Sequence, residues 1–562
     1  MSTIFSDSDL KQMAALGLTE DIVEAQINNF RQGFPKTELL DAATVDNGGI
    51  LRLTDEQISH FASYYSQASK GKKLLKFVPA SGAATRMFKD LYAFSATYFG
   101  IDYNIAKEYP SVKEFIEHIR TFAFFDDLIA CMEHYKADFG DYMDRGDFAT
   151  VINFLLKEQY MGYGNLPKGL LKFHRYGRIQ RTPLEEHIVE GAEYARMNDG
   201  TVNIHFTVSP EHRSLFRKKV NEVKRYYEEA LGVKLHITFS EQKHYTDIIA
   251  VDEQNNPVRD EEGRLVFRPG GHGALIENLN EQRADIIFVK NIDNVVPDWM
   301  KHTTIIYKKV LAGLLLELQK QTFEYLHTLD KGATSAQLKK IATFATTKLN
   351  ITLPEGYDDM DLSQRSQALH DLLNRPMRIC GMVKNQGEPG GGPFFTRDTH
   401  GIKSLQVVET AQINRKDSSQ EAILSSATHF NPVDLVCATK DYRGRYFDLR
   451  KYVDPATGFI SNPKPKPSPN PPPPQPASIP EDSHKVQLYN LELCAINKTP
   501  YESNSVMQKI PIRFRNLVHM REDGKKVRIW LQLSMKLNEI KEIQADLYEL
   551  FPMSRAVEIE KN

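Results

Sequence analysis

The sequence predicts an α/β protein in which a mostly parallel β-sheet is flanked by helices. Three strand-like runs alternate with helical segments after residue 182. Nearer the N-terminus, the apolar run at 73–79 passes into a loop of small residues and then at once into a helix. Because strands that alternate with helices pair in parallel, their carboxyl ends meet at one edge of the sheet. We therefore expect the functional loops at that edge.

The first half of the chain supplies two helical regions around this sheet. Helical spacing of apolar residues dominates residues 1–70, which we interpret as a helical N-terminal extension. The strand at 73–79 then opens a body that extends over residues 71–460. Within this body, residues 92–164 are helical and aromatic in pattern and predict a helical insertion.

After the insertion, the segment Thr182-Pro-Leu-Glu185 has the signature of a helix start, with Thr182 as N-cap and Glu185 closing a capping box. Periodicity predicts the elements that follow: strands at 202–208, 235–239 and 285–289, helices at 211–231 and 307–326, a helical stretch at 335–373, and strand-like sequence to about residue 453. Residues 461–482 are rich in proline and predict an extended linker. Residues 483–562 form an appendage whose fold the sequence leaves open. One interpretation is a small α/β unit that ends in a helix near residues 535–551.

The composition excludes several classes of protein. Of the 562 residues, 41% are hydrophobic and 26% are charged, so most of the chain can bury a core. The 71 basic and 73 acidic side chains give a net charge of -2, so no global field favours nucleic acid or an anionic membrane. The four cysteines are far apart, as is usual in a reducing compartment. The sequence does not indicate an oligomeric state.

The N-terminus lacks the basic and apolar regions of a signal peptide. The most apolar stretch, Val310–Leu318, is shorter than the roughly 20 residues that span a bilayer. We therefore expect a cytoplasmic protein with neither a membrane nor a nucleic acid as its partner.

The first candidate motif is the loop of small residues that follows the strand at 73–79. Small side chains let backbone N–H groups approach an anion, a helix N-terminus adds a positive dipole end, and Arg86 adds a forked cation. An ordinary packing turn is an equally good interpretation of this loop taken alone. The candidate residues are Ser81, Gly82, Ala83, Ala84, Thr85 and Arg86.

Three further motifs carry polar chemistry. In Leu166-Pro-Lys-Gly, Lys168 can hold a second phosphate, although a solvated lysine beside a turn is the simpler interpretation. The turn Arg268-Pro-Gly-Gly-His-Gly273 lets a planar ring lie on the backbone. Asp293 follows a buried strand in Asn-Ile-Asp-Asn, where a ligand of Mg²⁺ is expected. A surface turn and a polar strand terminator are the alternatives for these last two motifs.

The order of these four motifs resembles that of the UDP-sugar pyrophosphorylases, which include the UTP-glucose-1-phosphate and UDP-N-acetylglucosamine enzymes. More closely, it is similar to an uncharacterised bacterial family related to them. The resemblance covers roughly Lys73–Asp454 without the insertion. It implies a nucleotide-diphospho-sugar transferase-like (Rossmann-like) fold and a nucleotidyltransferase-like catalytic domain over residues 71–460.

The resemblance also implies a role for each matching residue. The loop from Ser81 to Arg86 would hold a nucleoside triphosphate, Lys168 would contact the transferring phosphate, and Asp293 would bind Mg²⁺. Gln242 and Gly271 would read a uracil edge. The matching residues that would contact the nucleotide are Gln242, Gly270, Gly271, His272 and Gly273. Glu409 and Asn431 are similar to residues that bind sugar hydroxyls.

The activity implied by the resemblance joins an NTP, with UTP expected, to a sugar 1-phosphate and yields an NDP-sugar and pyrophosphate. Arg86 and Lys168 would be the catalytic residues. Because Ser81 and Ala84 stand where the family has glycines, the alternative is a noncatalytic nucleotide or nucleotide-sugar binding protein that retains the fold. A third interpretation, an interaction protein that uses the insertion and the proline segment, leaves the four ordered motifs unexplained.

Overall fold

The computed structural model describes most of the chain. The described residues are 5–82, 84–97, 109–387, 390–399, 401–460, 489–497, 518–523, 526–535 and 555–558. The chain divides into two compact units. The larger comprises Met1–Phe139, Phe148–Val296 and Thr303–Pro472, and the smaller comprises Gly140–Asp147, Pro297–His302 and Pro473–Asn562. All the candidate site residues belong to the larger unit.

The α-helices of the described residues are, in chain order, α1 (Asp7–Leu16), α2 (Glu20–Gln32), α3 (Asp55–Ala68), α4 (Lys89–Thr97), α5 (Pro110–His118), α6 (Phe125–His134), α7 (Phe139–Asp144), α8 (Phe148–Leu156), α9 (Pro183–Tyr194), α10 (Arg213–Leu231), α11 (Ile276–Asn280), α12 (Lys301–Asp330), α13 (Ser335–Lys348), α14 (Leu362–Leu373) and α15 (Ser418–Ser425). The strands are β1 (Leu39–Ala42), β2 (Leu74–Pro79), β3 (His174–Tyr176), β4 (Ile179–Arg181), β5 (Thr201–Val208), β6 (Lys234–Glu241), β7 (Ile248–Ile249), β8 (Phe267–Arg268), β9 (Ile286–Lys290), β10 (Met377–Cys380), β11 (Val383–Lys384), β12 (Gly392–Arg397), β13 (Lys403–Val408), β14 (His429–Phe430), β15 (Asp434–Ala438), β16 (Tyr489–Asn497), β17 (Val518–Asp523), β18 (Lys526–Met535) and β19 (Arg555–Glu558).

Six strands form the central sheet of the larger unit, in the order β10-β15-β9-β2-β5-β6. The strands β9, β2, β5 and β6 are parallel to one another. Beside β9, the strands β15 and β10 continue the sheet in antiparallel pairings. The predicted α/β fold with a mostly parallel sheet is confirmed. Local periodicity does not predict the two antiparallel strands, because strand direction depends on how distant segments cross the sheet.

Both faces of the central sheet are buried. Leu74 and Ile286 pack on one face with residues of α3 and α12. Leu75 and Ile287 point to the opposite face, where Leu279 of α11 packs against them. Since successive residues of a strand point to opposite faces, a strand covered on both sides is apolar along its whole length. This accounts for the uninterrupted apolar runs in the sequence.

Helix α9 begins where the sequence predicts. The side chain of Thr182 accepts a hydrogen bond from the amide of Glu185 at 3.4 Å. The Glu185 carboxylate accepts one from the Thr182 amide at 2.9 Å, which completes the capping box. Pro183 occupies the first helical position. The start of α9 is therefore fixed shortly after the segment that carries Lys168.

The N-terminal helices pack against the β-hairpin formed by β7 and β8. Val23 and Ile27 of α2 share a buried cluster with Ile249 of β7 and with Leu265. The stretch 1–70 also contributes a strand, β1, which pairs with β12 in a three-stranded sheet. Helical periodicity does not reveal this strand, because its four residues are too few to show a repeat.

The helices α5 to α8 lie in the region that the sequence predicts as a helical insertion, and α4 begins three residues before it. The predicted linker at 461–482 and the predicted helix at 535–551, apart from Met535 in β18, lie outside the described residues. The described residues of the smaller unit include a four-stranded antiparallel sheet in the order β17-β18-β16-β19. None of the described helices has the length and apolar character required to cross a membrane.

Candidate functional site

Lys168 lies directly beside the loop of small residues. This loop follows β2 and continues into a 3₁₀-helix at Ala84–Arg86. The amide of Lys168 donates a hydrogen bond to the Gly82 carbonyl at 3.2 Å, and the amide of Ala84 donates one to the Leu166 carbonyl at 3.4 Å. The chain therefore returns from the helical region to the loop at which it left the sheet.

The packing around Lys168 leaves no room for a side chain at residue 169. A Cβ atom on Gly169 would lie 2.8 Å from Cζ of Phe216 and 3.0 Å from Cγ1 of Ile292. Contacts this close require a glycine, because both neighbours are held in the buried core and neither is the end of a mobile chain. Gly169 thus allows the segment of Lys168 to approach the residue that precedes Asp293.

Lys168 and Asp293 form an ion pair. The Lys168 ammonium lies 2.5 Å from Oδ2 of Asp293, and the two side chains are 25% and 34% exposed. The amide of Ile292 donates to the carbonyl of Pro79 at 3.1 Å, which ties the loop after β9 to the end of β2. Two residues predicted from separate motifs are therefore brought together at the carboxyl edge of the sheet, within reach of a ligand.

A tight turn before β15 borders the loop that carries Asp293. The Asn294 side chain donates to the Pro432 carbonyl at 3.0 Å. Asn431, the predicted sugar-binding asparagine, donates to the Gly381 carbonyl at 2.7 Å and accepts from the Val433 amide at 3.0 Å. Val433 has a φ of 56°, a conformation that costs energy for a β-branched residue. In this structure the Asn431 amide therefore supports the turn.

The loop of small residues is described in part. Ala83 lies outside the described residues, and Arg86 is described by its backbone alone. The burial of the other members differs along the loop: Ser81 is half-buried, Gly82 and Thr85 are exposed, and Ala84 is buried. Ser81 and Ala84 do not have positive φ values, so the absence of glycine at these two positions causes no backbone strain.

The side chain of Gln242 contacts the glycine-rich turn. Its side-chain amide donates to the Gly270 carbonyl at 3.2 Å. A Cβ on Gly270 would lie 2.6 Å from the Thr246 carbonyl oxygen, so only glycine fits there. Gly271 and Gly273 have open space where a Cβ would be, which leaves their backbone accessible to a flat ligand.

His272 faces Glu409 across the glycine-rich turn. Nε2 of His272 lies 3.6 Å from Oε1 of Glu409, and both side chains are exposed, at 72% and 40%. The resemblance implies a nucleotide contact for His272 and a sugar contact for Glu409. Their proximity places the two predicted binding regions next to each other.

A protein-family model matches residues 6–467 of the chain. The chain belongs to the family described as Domain of unknown function (DUF4301). Comparison of this DUF4301 chain with curated proteins gives no match.

Two solved structures resemble the DUF4301 chain at low identity. The UDP-N-acetylglucosamine pyrophosphorylase of Trypanosoma brucei, in complex with an inhibitor, has 12% identity and a TM-score of 0.34 over 77% of this chain and 62% of its own. A mutant UDP-glucose pyrophosphorylase of Leishmania major, in complex with UDP-glucose, has 12% identity and a TM-score of 0.25 over 78% and 63%. The DUF4301 chain thus spans less than two thirds of the length of either structure.

The described residues of this DUF4301 chain place one carboxylate, that of Asp293, beside Lys168. Within the described residues, no three His, Cys, Asp or Glu side chains are grouped so that they could hold a metal ion. Mg²⁺ usually keeps several waters and is bound by one or two carboxylates together with substrate phosphates. Asp293 supplies one carboxylate near the loop that is predicted to hold phosphates. This fits an Mg²⁺ ion bound by one carboxylate together with phosphates.

Sequence reasoning misses a buried charge network in the DUF4301 fold. Glu190 of α9 accepts hydrogen bonds from Lys76 of β2 at 3.0 Å and from Lys290 of β9 at 2.9 Å. Lys308 of α12 pairs with Asp434 at the start of β15. Burial pushes the pKa of Glu190 upward, but Lys76 and Lys290 outweigh it and hold the pKa below its usual range.

A signal for this network exists in the sequence. Lys76 and Lys290 each interrupt or end an apolar strand run, and a lysine in such a place requires a buried partner. Glu190 lies three residues after His187, on the buried face of α9. The partners are separated by about a hundred residues, so their pairing is visible in the fold alone.

Proposed function

We propose that this protein transfers a nucleotidyl group from a nucleoside triphosphate, with UTP expected, to a sugar 1-phosphate and releases pyrophosphate. The observation that carries the proposal is the Lys168–Asp293 pair at the carboxyl edge of the parallel sheet. Its lysine segment is hydrogen-bonded to the loop of small residues. A cation, a carboxylate and a small-residue loop in one place suit a triphosphate better than an uncharged ligand.

In this reaction the sugar phosphate attacks the α-phosphorus in line, and pyrophosphate leaves. The protein needs no nucleophilic side chain, because alignment and charge stabilisation supply the rate. Lys168 would bind phosphate oxygens, and Arg86 is the second cation predicted for them. Gln242 and the backbone at Gly271 would orient the base, while Glu409 and Asn431 remain the predicted sugar contacts.

Asp293 is the residue proposed to hold Mg²⁺. When bound, the ion supplies positive charge to phosphate oxygens and so reduces their repulsion of an anionic attacking group. Asp293 is paired with Lys168. A triphosphate offers the Lys168 ammonium a second anionic partner, which leaves the carboxylate available.

The test is pyrophosphate release from each NTP with Mg²⁺ and a panel of sugar 1-phosphates. We expect release that requires one NTP and one sugar phosphate and that falls at least roughly 100-fold in Lys168→Ala and in Asp293→Ala. Lys172→Ala is the matched control, because Lys172 forms an ion pair of the same length, 2.5 Å, with Asp127. An equal loss in the control would contradict a specific role for Lys168.

A noncatalytic nucleotide or nucleotide-sugar binding protein is the second candidate. The sequence raises it because Ser81 and Ala84 stand in place of two glycines in the loop, although neither residue has a positive φ. It is also favoured by the Lys168–Asp293 pair, in which the two side chains neutralise each other's charge. Binding of UTP or a UDP-sugar in calorimetry, without release of pyrophosphate across the panel, would select this candidate.

A further inference from the structure

His187 contacts the backbone that leads into Asp293. It lies on α9 and is fully buried. Its Nε2 atom is 3.1 Å from the carbonyl oxygen of Asn291 and 3.2 Å from that of Ile292. A carbonyl oxygen only accepts hydrogen bonds, so Nε2 must carry the proton and donate to this pair.

The position of His187 is itself fixed by the buried charge network. Glu190, one helical turn further along α9, bonds to lysines on β2 and β9. One of these lysines, Lys76, also donates to the backbone carbonyl of His187 at 3.1 Å. Because α9 is attached to both strands at this point, the backbone of His187 cannot move away from the loop without breaking buried ionic hydrogen bonds.

The electrostatics of the site keep His187 neutral. Burial, with Lys76 adding to it, holds the pKa of His187 well below its usual value. Within the described part of the chain, Nδ1 has no hydrogen-bond partner, so the ring acts through Nε2. A neutral ring with one anchored donor does not exchange protons with a substrate, and it is well suited to hold a loop.

We infer that His187 is a positioning residue, which fixes the Asn291–Ile292 backbone through Nε2 and thereby sets the place of Asp293 opposite Lys168. The importance of that placement rests on the proposed function. The hydrogen bonds themselves do not, and they are open to a separate measurement.

The experiment compares His187→Met with His187→Gln in the full-length protein. Glutamine places an N–H donor near the position of Nε2, and methionine has a similar length without a donor. Hydrogen exchange is followed at the amides of Ile292 and Asn294, which donate to Pro79 and Asn291 at 3.1 Å each. Pyrophosphate release is measured in parallel.

We expect exchange at the two amides to accelerate at least roughly tenfold in His187→Met, as for the loss of one buried hydrogen bond, and to stay near the wild-type rate in His187→Gln. Amides of β5 should be unchanged in both variants. Pyrophosphate release should fall roughly tenfold or more in kcat for the methionine variant, with a smaller change in KM for UTP, and recover in the glutamine variant.

Equal exchange in the two variants would assign His187 to packing and overturn the inference. If no variant and no wild-type sample releases pyrophosphate, the proposed function fails, and the exchange result still decides the role of His187. Should the methionine variant not fold, the ¹⁵N spectrum of the wild-type ring decides. A neutral ring protonated at Nε2 over the neutral pH range is expected, and protonation at Nδ1 would overturn the inference.

Discussion

At the scale of single residues, Gly169 controls how closely Lys168 approaches the strand end that carries Asp293. A methyl group at residue 169 would press on Phe216 and Ile292 at 2.8 and 3.0 Å. We expect Gly169→Ala to lower the free energy of unfolding by about 1–3 kcal/mol, the usual cost of overpacking a core, and to reduce pyrophosphate release. Urea denaturation measures the first effect.

Gly82→Ala is the control for this prediction. A Cβ on Gly82 would meet no atom within 4 Å, and its φ is not positive. Its unfolding midpoint should therefore remain at the wild-type value. An unchanged midpoint in Gly169→Ala would show that the packing relaxes and that the glycine is not required for the Lys168–Asp293 distance.

At the scale of elements, the N-terminal helices are attached to the segment between β7 and β8 by a buried carboxylate. Asp9 of α1 accepts two hydrogen bonds from Arg259, each of 2.8 Å. The hydrogen bonds from Arg259 hold the pKa of Asp9 well below its usual range, although burial opposes them. Because this segment leads into the turn at Gly270–Gly273, the contact connects the N-terminal helices to the predicted nucleotide site.

The depressed pKa of Asp9 gives the sign of a pH dependence. A carboxylate with a folded pKa below its unfolded value of about 3.9 contributes stability above that pH, and the contribution is lost as the pH falls further. We expect the protection of the amides of residues 7–16, measured relative to their intrinsic exchange rates, to fall more than that of β5 between about pH 5 and pH 3. Asp9→Asn should remove this difference. A difference that persists in Asp9→Asn would assign the effect to another group.

The elements also show what the sequence predicts well. The strands β2, β5, β6 and β9 and the capped start of α9 are marked by local patterns, and the structure places their starts close to the predicted residues. The strand β1 is too short for a pattern. The candidate pair Lys168 and Asp293 could be predicted because each follows a strand or a loop of distinctive composition. Their 2.5 Å contact requires the chain to come back to the loop of small residues after the helical insertion, and no local pattern encodes this path.

At the scale of the whole molecule, buried lysines outnumber their carboxylate partners in the charge network. Lys76, Lys290 and Lys308 face Glu190 and Asp434, which leaves one positive charge in excess. Burial lowers the pKa of Lys76 to about 7, although Glu190 opposes the shift. Glu190 is the carboxylate that both Lys76 and Lys290 contact.

This imbalance predicts opposite outcomes for two substitutions. Glu190→Gln removes the carboxylate that Lys76 and Lys290 share and should lower the free energy of unfolding by about 3–5 kcal/mol. Lys76→Met leaves Glu190 paired with Lys290 and should be tolerated. Since the folded pKa of Lys76, about 7, lies below its unfolded value of about 10.4, wild-type stability should rise as the pH increases between these two values.

Urea denaturation at about pH 7 and pH 9 tests both statements. Lys76→Met should show a smaller rise with pH than the wild type. Comparable destabilisation by the two substitutions would mean that the network acts as one indivisible unit, contrary to the charge count.

Two backbone hydrogen bonds, Lys168 to Gly82 and Ala84 to Leu166, make the chain tolerant of changes in the length of the helical insertion. They hold the entry and the exit of the helical insertion side by side, so the length of the inserted chain has little influence on where Lys168 lies. The cost of closing a loop grows only slowly with its length. The region between these bonds can therefore be lengthened or shortened while the edge of the sheet keeps its arrangement, and a foreign domain could be grafted at the same point.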